Sequence, residues 1–397
     1  MLSSSATPSP CTKSSSNYLG TSNSAVAVVE HGLAKVLPVN GKRTTPSIVA
    51  FKEDGRVLVG AEAKEQAATN PHNTFYSVKR LIGRRHEHCL LDGLAYSVQP
   101  GPDGRAVMEC PVKGQTLAPE QVSAYLLREL VSHAKAYLRE DVDGAVVTVP
   151  AYFDEDQRQA TLRAASLAGL QKVQLLQEPV AAAMAYGLGK PFDADTILVF
   201  DLGGGTFDVS ILDSFEGIVE VLATAGDAQL GGDDFDRAIL GLLAQACMEQ
   251  GGSDPRRSAL AVQQLTNCAE QAKVALSSSS QTHIELPGSP GGAQLQVALT
   301  RAQFDGLTAH LRARLAPPLR QIARETFVRW VDEAAINGLS TPGPSAVAEP
   351  SAEAITSLSA PEAIQAGILM GQVQGLELMD GSYSWDLHQR ATGFAGF

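Results

Sequence analysis

The sequence predicts an α/β protein made of two similar lobes around a shared cleft, and three observations predict it. Residues 196–212, TILVFDLGGGTFDVSIL, set an aspartate and three glycines between two runs rich in β-branched and aromatic residues, which reads as strand, tight turn and strand. LGTSNSAVAVVE places Gly20, Thr21, Ser22 and Asn23 ahead of an apolar run at 25–29, a second glycine and hydroxyl turn about 180 residues earlier, as a duplicated unit would. Between them, short apolar runs alternate with helical patterns, as in α/β architectures.

In the later turn, the run before Asp201 is apolar enough to be buried on both faces, so the carboxylate arrives at the end of a rigid strand and needs a partner such as a bound cation. Gly203, Gly204 and Gly205 lack a Cβ and tolerate positive φ, so their N–H groups can converge on phosphate oxygens. Thr206 and Asp208 add a hydroxyl and a second carboxylate. The same residues also read as a glycine-rich hairpin beside a solvated aspartate.

Residues 1–17 are serine-rich, carry one lysine and no acid, and are expected to be a disordered tail. Thr44-Thr45-Pro46-Ser47 precedes an edge strand at 48–51, where Pro46 removes a ladder donor. A short strand at 57–60 and a helix at 62–69 follow, the helix ended near Asn70-Pro71. FYSVKRLIGRR sets Lys79, Arg80, Arg84 and Arg85 around Val78, Leu81 and Ile82; by pattern alone the cations form a solvated helix face. His86, His88 and Cys89 lack metal-ligand spacing. Apolar residues recur helically over 119–139, with acids early and bases late. A buried strand at 145–149 ends at Pro150, and Asp154 with Gln157 forms a capping box for a helix running to Gly169. After a short strand at 173–176, Glu178-Pro179 opens a helix that closes near Gly187. Glu178 there faces the sheet end where α/β proteins bind ligands, or merely complements the helix dipole.

The 397 residues, 44% hydrophobic and 19% charged, suit a soluble globular chain of two or more units. A net charge of −12 argues against nucleic-acid binding, and no apolar run approaches the roughly 20 residues that span a membrane. Five scattered cysteines without a C-x-x-C read as thiols in a reducing compartment.

LGTSNSAVAV, RTTPSIVAF, NPHNTFYSVKRLIGR, VTVPAYFDEDQRQAT, QEPVAAAMAYGL, ILVFDLGGGTFDVSIL, TAGDAQLGGDDFD and AEQAKVALSSSSQT together resemble the nucleotide-binding domain of the seventy-kilodalton heat-shock chaperones, the DnaK type, in its bacterial and plastid form. The resemblance spans about residues 19–320. It implies an actin-like ATPase fold, ATP and ADP with Mg2+ as ligands, ATP hydrolysis in protein folding and stress response, and J-domain co-chaperones and nucleotide-exchange factors as partners. The compartment would be cytoplasm or plastid stroma. By the same resemblance Lys79 is the catalytic lysine, with Glu178, Asp201 and Thr206 positioning water and the magnesium shell, Asp201 holding magnesium through water. Gly20, Thr21, Ser22 and Gly203 to Gly205 would cradle phosphates, and Gly231 and Gly232 would approach the nucleotide. Glu270, Lys273 and Ser277 would clasp ribose and adenine. Pro150 and Arg158 would form an interdomain switch pair.

The chain also departs from that family. Tyr18 stands two residues before Gly20 where the family carries an aspartate, and a neutral phenol cannot hold magnesium-bound water as a carboxylate does. The resemblance is expected to fail after Arg320. The expected organisation is therefore a disordered tail at 1–17, lobe I at 18–195, an incomplete lobe II at 196–337 and a Pro/Ala/Ser-rich insert at 338–361. A residual lobe II helix and linker start, including Leu376, Leu378 and Met379, follows at 362–380, then an unmatched tail at 381–397. Without a client-binding domain, no autonomous client binding is expected. The rival reading is a degenerate nucleotide-binding or protein-binding remnant without turnover.

Overall fold

The structure, a computed structural model, describes residues 13–326 apart from 32, 90, 92–93, 186–194, 216–217, 250–253 and 287–294, together with 368–373. The insert expected at 338–361, the tail at 381–397, and Leu376, Leu378 and Met379 lie outside the described residues.

Two sheets carry the architecture. The first runs in the order Lys172–Gln177, Val142–Val149, Lys13–Leu19, Asn23–Glu30, Leu33–Leu37, with Thr45–Pro46 beside Asn23–Glu30. Lys13–Leu19 lies parallel to Val142–Val149 and antiparallel to Asn23–Glu30. The second sheet runs Ile218–Asp227, Phe207–Phe215, Asp195–Leu202, Ile368–Val373, all antiparallel. In each, three consecutive strands form a meander whose first strand is central, and the first hairpin turn carries the glycines. Duplication read from two turns thus extends to the sheets that bear them.

Two expectations change. Residues 13–17 are part of the central strand of the first sheet, not of a disordered tail. Ser15 and Asn17 are buried, and Asn17 Nδ2 donates to Ser15 Oγ at 3.0 Å. Ladders on both edges hold a stretch whose side chains carry no β signal, because strand conformation depends on neighbours more than on intrinsic preference. The helix expected within 362–380 is contradicted by the strand Ile368–Val373, registered on Thr196–Asp201. Its apolar ILMGQV run covers an edge of Asp195–Leu202 that otherwise presents unpaired N–H and C=O groups.

Each sheet has its own core. Phe51, Phe75, Met108, Leu127 and Leu130 pack beneath the first, with the amphipathic helix Pro119–Leu138 contributing the last two. Phe207, Phe235, Ile239, Leu276 and Phe304 pack beneath the second, against helices Gly232–Glu249 and Ala259–Ser278. Helix Glu178–Ala185 leaves the edge strand of the first sheet and buries Ala183 against Ile197, Val199 and Leu212 on the other face of the second. Its first residue, Glu178, is thereby fixed where the two lobes meet. Cys89, Cys110, Cys247 and Cys268 are free thiols. Among the described residues, no helix is long and apolar enough to cross a membrane.

Candidate active site

The two glycine turns face each other across the junction. Gly203 N–H donates to the Thr206 carbonyl at 2.9 Å, closing the second turn. Its carbonyl and that of Gly204 accept from the Gly232 and Asp233 N–H groups at 2.9 and 2.7 Å, stitching the turn to the start of helix Gly232–Glu249. None of the glycines expected to line the site has positive φ, so conformational freedom is not what they supply. Close approach is. A Cβ on Gly204 would strike the Ser22 side chain of the other turn, and one on Gly231 would lie 2.5 Å from the Gly204 carbonyl carbon. Ser22 Oγ donates to Asp233 Oδ2 at 3.4 Å, while Ser47 Oγ donates to the Gly20 carbonyl at 2.8 Å. Thr21 is buried beside them.

Lys79 is not on a solvated face. Val78–Arg80 is a single 3-10 turn pinned by buried Val78, Leu81 and Ile82, which leaves the Lys79 side chain aimed into the junction at 10% exposure. Its Nζ donates to Glu178 Oε1 at 2.6 Å, and Thr148 Oγ1 donates to the same oxygen at 3.4 Å. With Glu178 only 9% exposed, both charges are desolvated, and removing either would leave the other buried without its partner. Asp201 and Asp208 face each other across the second hairpin. Burial first, then Glu178 and Asp208, holds the Asp201 carboxyl well above the usual range. Burial and Glu178 push Asp208 up to about 7, against the opposing pull of Lys79 and the Thr206 hydroxyl. Asp208 Oδ1 is buried without a hydrogen-bond partner.

Tyr18 occupies the position in the first hairpin that Asp201 occupies in the second, two residues before the leading glycine. Its ring lies against the Gly20 turn, where a Cβ on Gly20 would meet it, and Lys79 Nζ stands 5.7 Å from the ring centroid. The Phe153 ring is 5.9 Å from the same nitrogen. Burial, followed by Glu178, Asp201 and Asp208, raises the Tyr18 phenol well above its ordinary value, so it is a neutral hydroxyl here.

The remaining expected residues fall in two places. Lys273 and Glu270 lie on helix Ala259–Ser278, with Ser277 near its end. Lys273 Nζ bridges Asp236 Oδ2 at 2.8 Å and the Gly232 carbonyl at 3.1 Å, while Glu270 accepts from Lys64 of the first lobe at 3.0 Å. Burial raises Asp236 to about 6 in spite of Lys273. Arg158 donates to the carbonyls of Phe153 and Ala151 at 2.9 and 3.3 Å, so it braces the turn that Pro150 opens. Sequence reasoning missed Arg80, whose guanidinium donates to the Gly205 carbonyl across the junction, and Asp233, the acceptor for Ser22. A Lys-Arg pair followed immediately by a buried Leu-Ile pair was the available signal for Arg80.

Apposed glycine turns, hydroxyls and a buried lysine fit a phosphate chain. A divalent ion shared between the lobes fits less well. Asp201 and Asp208 supply negative charge on the second lobe's side, but on the first the Glu178 carboxylate is held by Lys79 at 2.6 Å and the central strand ends in a phenol. Among the described residues no three His, Cys, Asp or Glu side chains converge to ligate an ion directly.

Comparison with known proteins places the chain in a family. The family model described as Hsp70 protein matches residues 18–349, which extends family-like sequence past the Arg320 limit expected from motifs. The chain is 43% identical over 383 residues to a chaperone protein DnaK of Trichormus variabilis, covering 91% of this chain and 55% of the relative. It is 44% identical over the same length to a chaperone protein dnaK of Cyanidioschyzon merolae, covering 91% and 63%. The chain thus spans about half to two thirds of the length of these curated relatives. Its duplicated sheets are those of an actin-like ATPase fold, and the chain belongs to the Hsp70 family.

Proposed function

We propose that this chain binds adenine nucleotide between its lobes and hydrolyses ATP as the ATPase part of a chaperone acting in protein folding. The buried Lys79–Glu178 pair, set beside two apposed glycine turns, carries the reading. In it, the N–H groups of the turns at Gly20 to Ser22 and at Gly204 and Gly205 hold phosphate oxygens, while Gly203 closes the second turn through the Thr206 carbonyl. Lys79 Nζ stabilises the negative charge that develops on the transferred phosphoryl group, the electrostatic part of such reactions that a protein mainly supplies. The Glu178 carboxylate orients the attacking water, and Thr206 steadies Asp208. Gly231 and Gly232 let the backbone come close, and Glu270, Lys273 and Ser277 lie on the helix proposed to clasp ribose and adenine. Magnesium, where bound, would add charge neutralisation at the phosphates on the Asp201 side.

Pro150 and Arg158 are proposed as the switch that reports on the site, since Arg158 braces the turn whose Phe153 ring flanks Lys79. J-domain co-chaperones and nucleotide-exchange factors are the proposed partners, in cytoplasm or plastid stroma. A second reading, nucleotide binding without turnover, is favoured by Tyr18 at the place of a carboxylate. Calorimetric titration with ADP and with GDP, followed by single-turnover ATP hydrolysis, tests both. Binding of ADP without GDP supports the adenine assignment, and absence of ADP binding would sink the reading. Product formation within a single turnover separates enzyme from remnant.

A further inference from the structure

We infer that this chain holds adenine nucleotide without an obligate divalent cation, because Tyr18 fills with a phenol the lobe I side of the junction and a basic side chain stands in for the ion. The inference rests on the nucleotide reading above. It begins from the internal symmetry of the fold. Tyr18-Leu19-Gly20 and Asp201-Leu202-Gly203 occupy equivalent places on the central strands of the two meanders, each ending at a glycine turn. An ion bridging nucleotide phosphates between the lobes would be served best by a hard oxygen ligand from each. The second lobe provides Asp201, whereas the first lobe's junctional carboxylate, Glu178, is already bonded to Lys79 at 2.6 Å.

The phenol is also not free to swing aside. Its ring is packed against the Gly20 turn and faces Lys79, whose ammonium is held at 2.6 Å by Glu178. Water bound to an ion on that side would have to displace an aromatic ring from a cation and a backbone turn. Positive charge is nevertheless present. Lys79 lies at the junction, and Arg80 reaches across it to the Gly205 carbonyl with its Nε buried and unpartnered. With Lys79 paired to Glu178, Arg80 is the cation left to face a diphosphate from the first lobe, the side on which Tyr18 stands.

Isothermal titration with ADP in EDTA and again in excess MgCl2 tests this. The unmodified chain should change affinity by less than about threefold between the two buffers. Tyr18→Phe, which keeps the ring, should behave the same way, whereas Tyr18→Asp should gain about tenfold or more from magnesium. A loss of about tenfold or more by the unmodified chain in EDTA would overturn the inference while leaving nucleotide binding intact. Absence of ADP binding in both buffers overturns the nucleotide reading and the inference with it.

Discussion

Asp208 makes the junction sensitive to pH in a direction opposite to that of an ordinary paired carboxylate. Its pKa is raised from 3.8 to about 7, by burial and then by Glu178. The folded chain therefore keeps a proton that the unfolded chain releases above about pH 4, so this group's contribution to stability is full below that point and falls as pH climbs towards about 7. The rise from 3.8 to about 7, at about 1.36 kcal/mol per pH unit, sets a ceiling of roughly 4 kcal/mol on the loss. Coupling to Glu178 and local relaxation should bring the observed figure to about 1–3 kcal/mol. Asp208→Asn removes the titration and nearly preserves shape. In EDTA it should raise the melting temperature at about pH 8 by several degrees and change it little at about pH 4.5. Differential scanning calorimetry across that range provides the readout. Equal shifts at both ends, or a lower melting temperature at pH 8, would refute the assignment of the buried charge penalty to Asp208.

Other substitutions probe other parts of the chain. Lys79→Ala should lower single-turnover hydrolysis by about a hundredfold or more while ADP affinity, measured by calorimetry, changes less. Gly231→Ala places a Cβ 2.5 Å from the Gly204 backbone, so ADP affinity should fall even where circular dichroism shows a folded chain. Asp154→Ala removes the acceptor that takes the Gln157 N–H at 2.9 Å and should destabilise the chain by about 1 kcal/mol in urea unfolding. Lys64→Ala breaks a part-exposed contact to Glu270 and should cost under about 1 kcal/mol by the same measurement.

Much of this was legible in the residues, for identifiable reasons. The hairpin around Gly203 to Gly205 shows itself because its strands are rich in β-branched and aromatic residues, and the helix Glu155–Leu167 starts where its capping box says, with Asp154 and Gln157 bonded reciprocally. Lys13–Leu19 was invisible because its buried residues Ser15 and Asn17 are polar, and its place comes from strands on either side. Periodicity put Lys79 in solvent, since a 3-10 turn with a buried stripe looks like an amphipathic helix until its other face is covered as well. Only the family resemblance gave the lysine a role, and only the coordinates revealed that it pairs with Glu178 across 99 positions. Positive φ, one of the properties read from the glycines, is not used at these positions, and their close approach to Ser22, Arg80 and Gly204 leaves no mark on a single segment of sequence.

The polar central strand has a consequence for how the chain is made. Lys13–Leu19 meets its antiparallel partner within a few residues, but its other edge waits for Val142–Val149, since Lys13 registers on Val142. At ribosomal rates of about 5–20 residues per second, that edge stays open for roughly 6–26 seconds before its partner is synthesised. A valine-rich strand left open so long would be a template for pairing with other nascent chains. Serines along it keep the waiting edge hydrated, so the composition that hides this strand from prediction also protects it during synthesis.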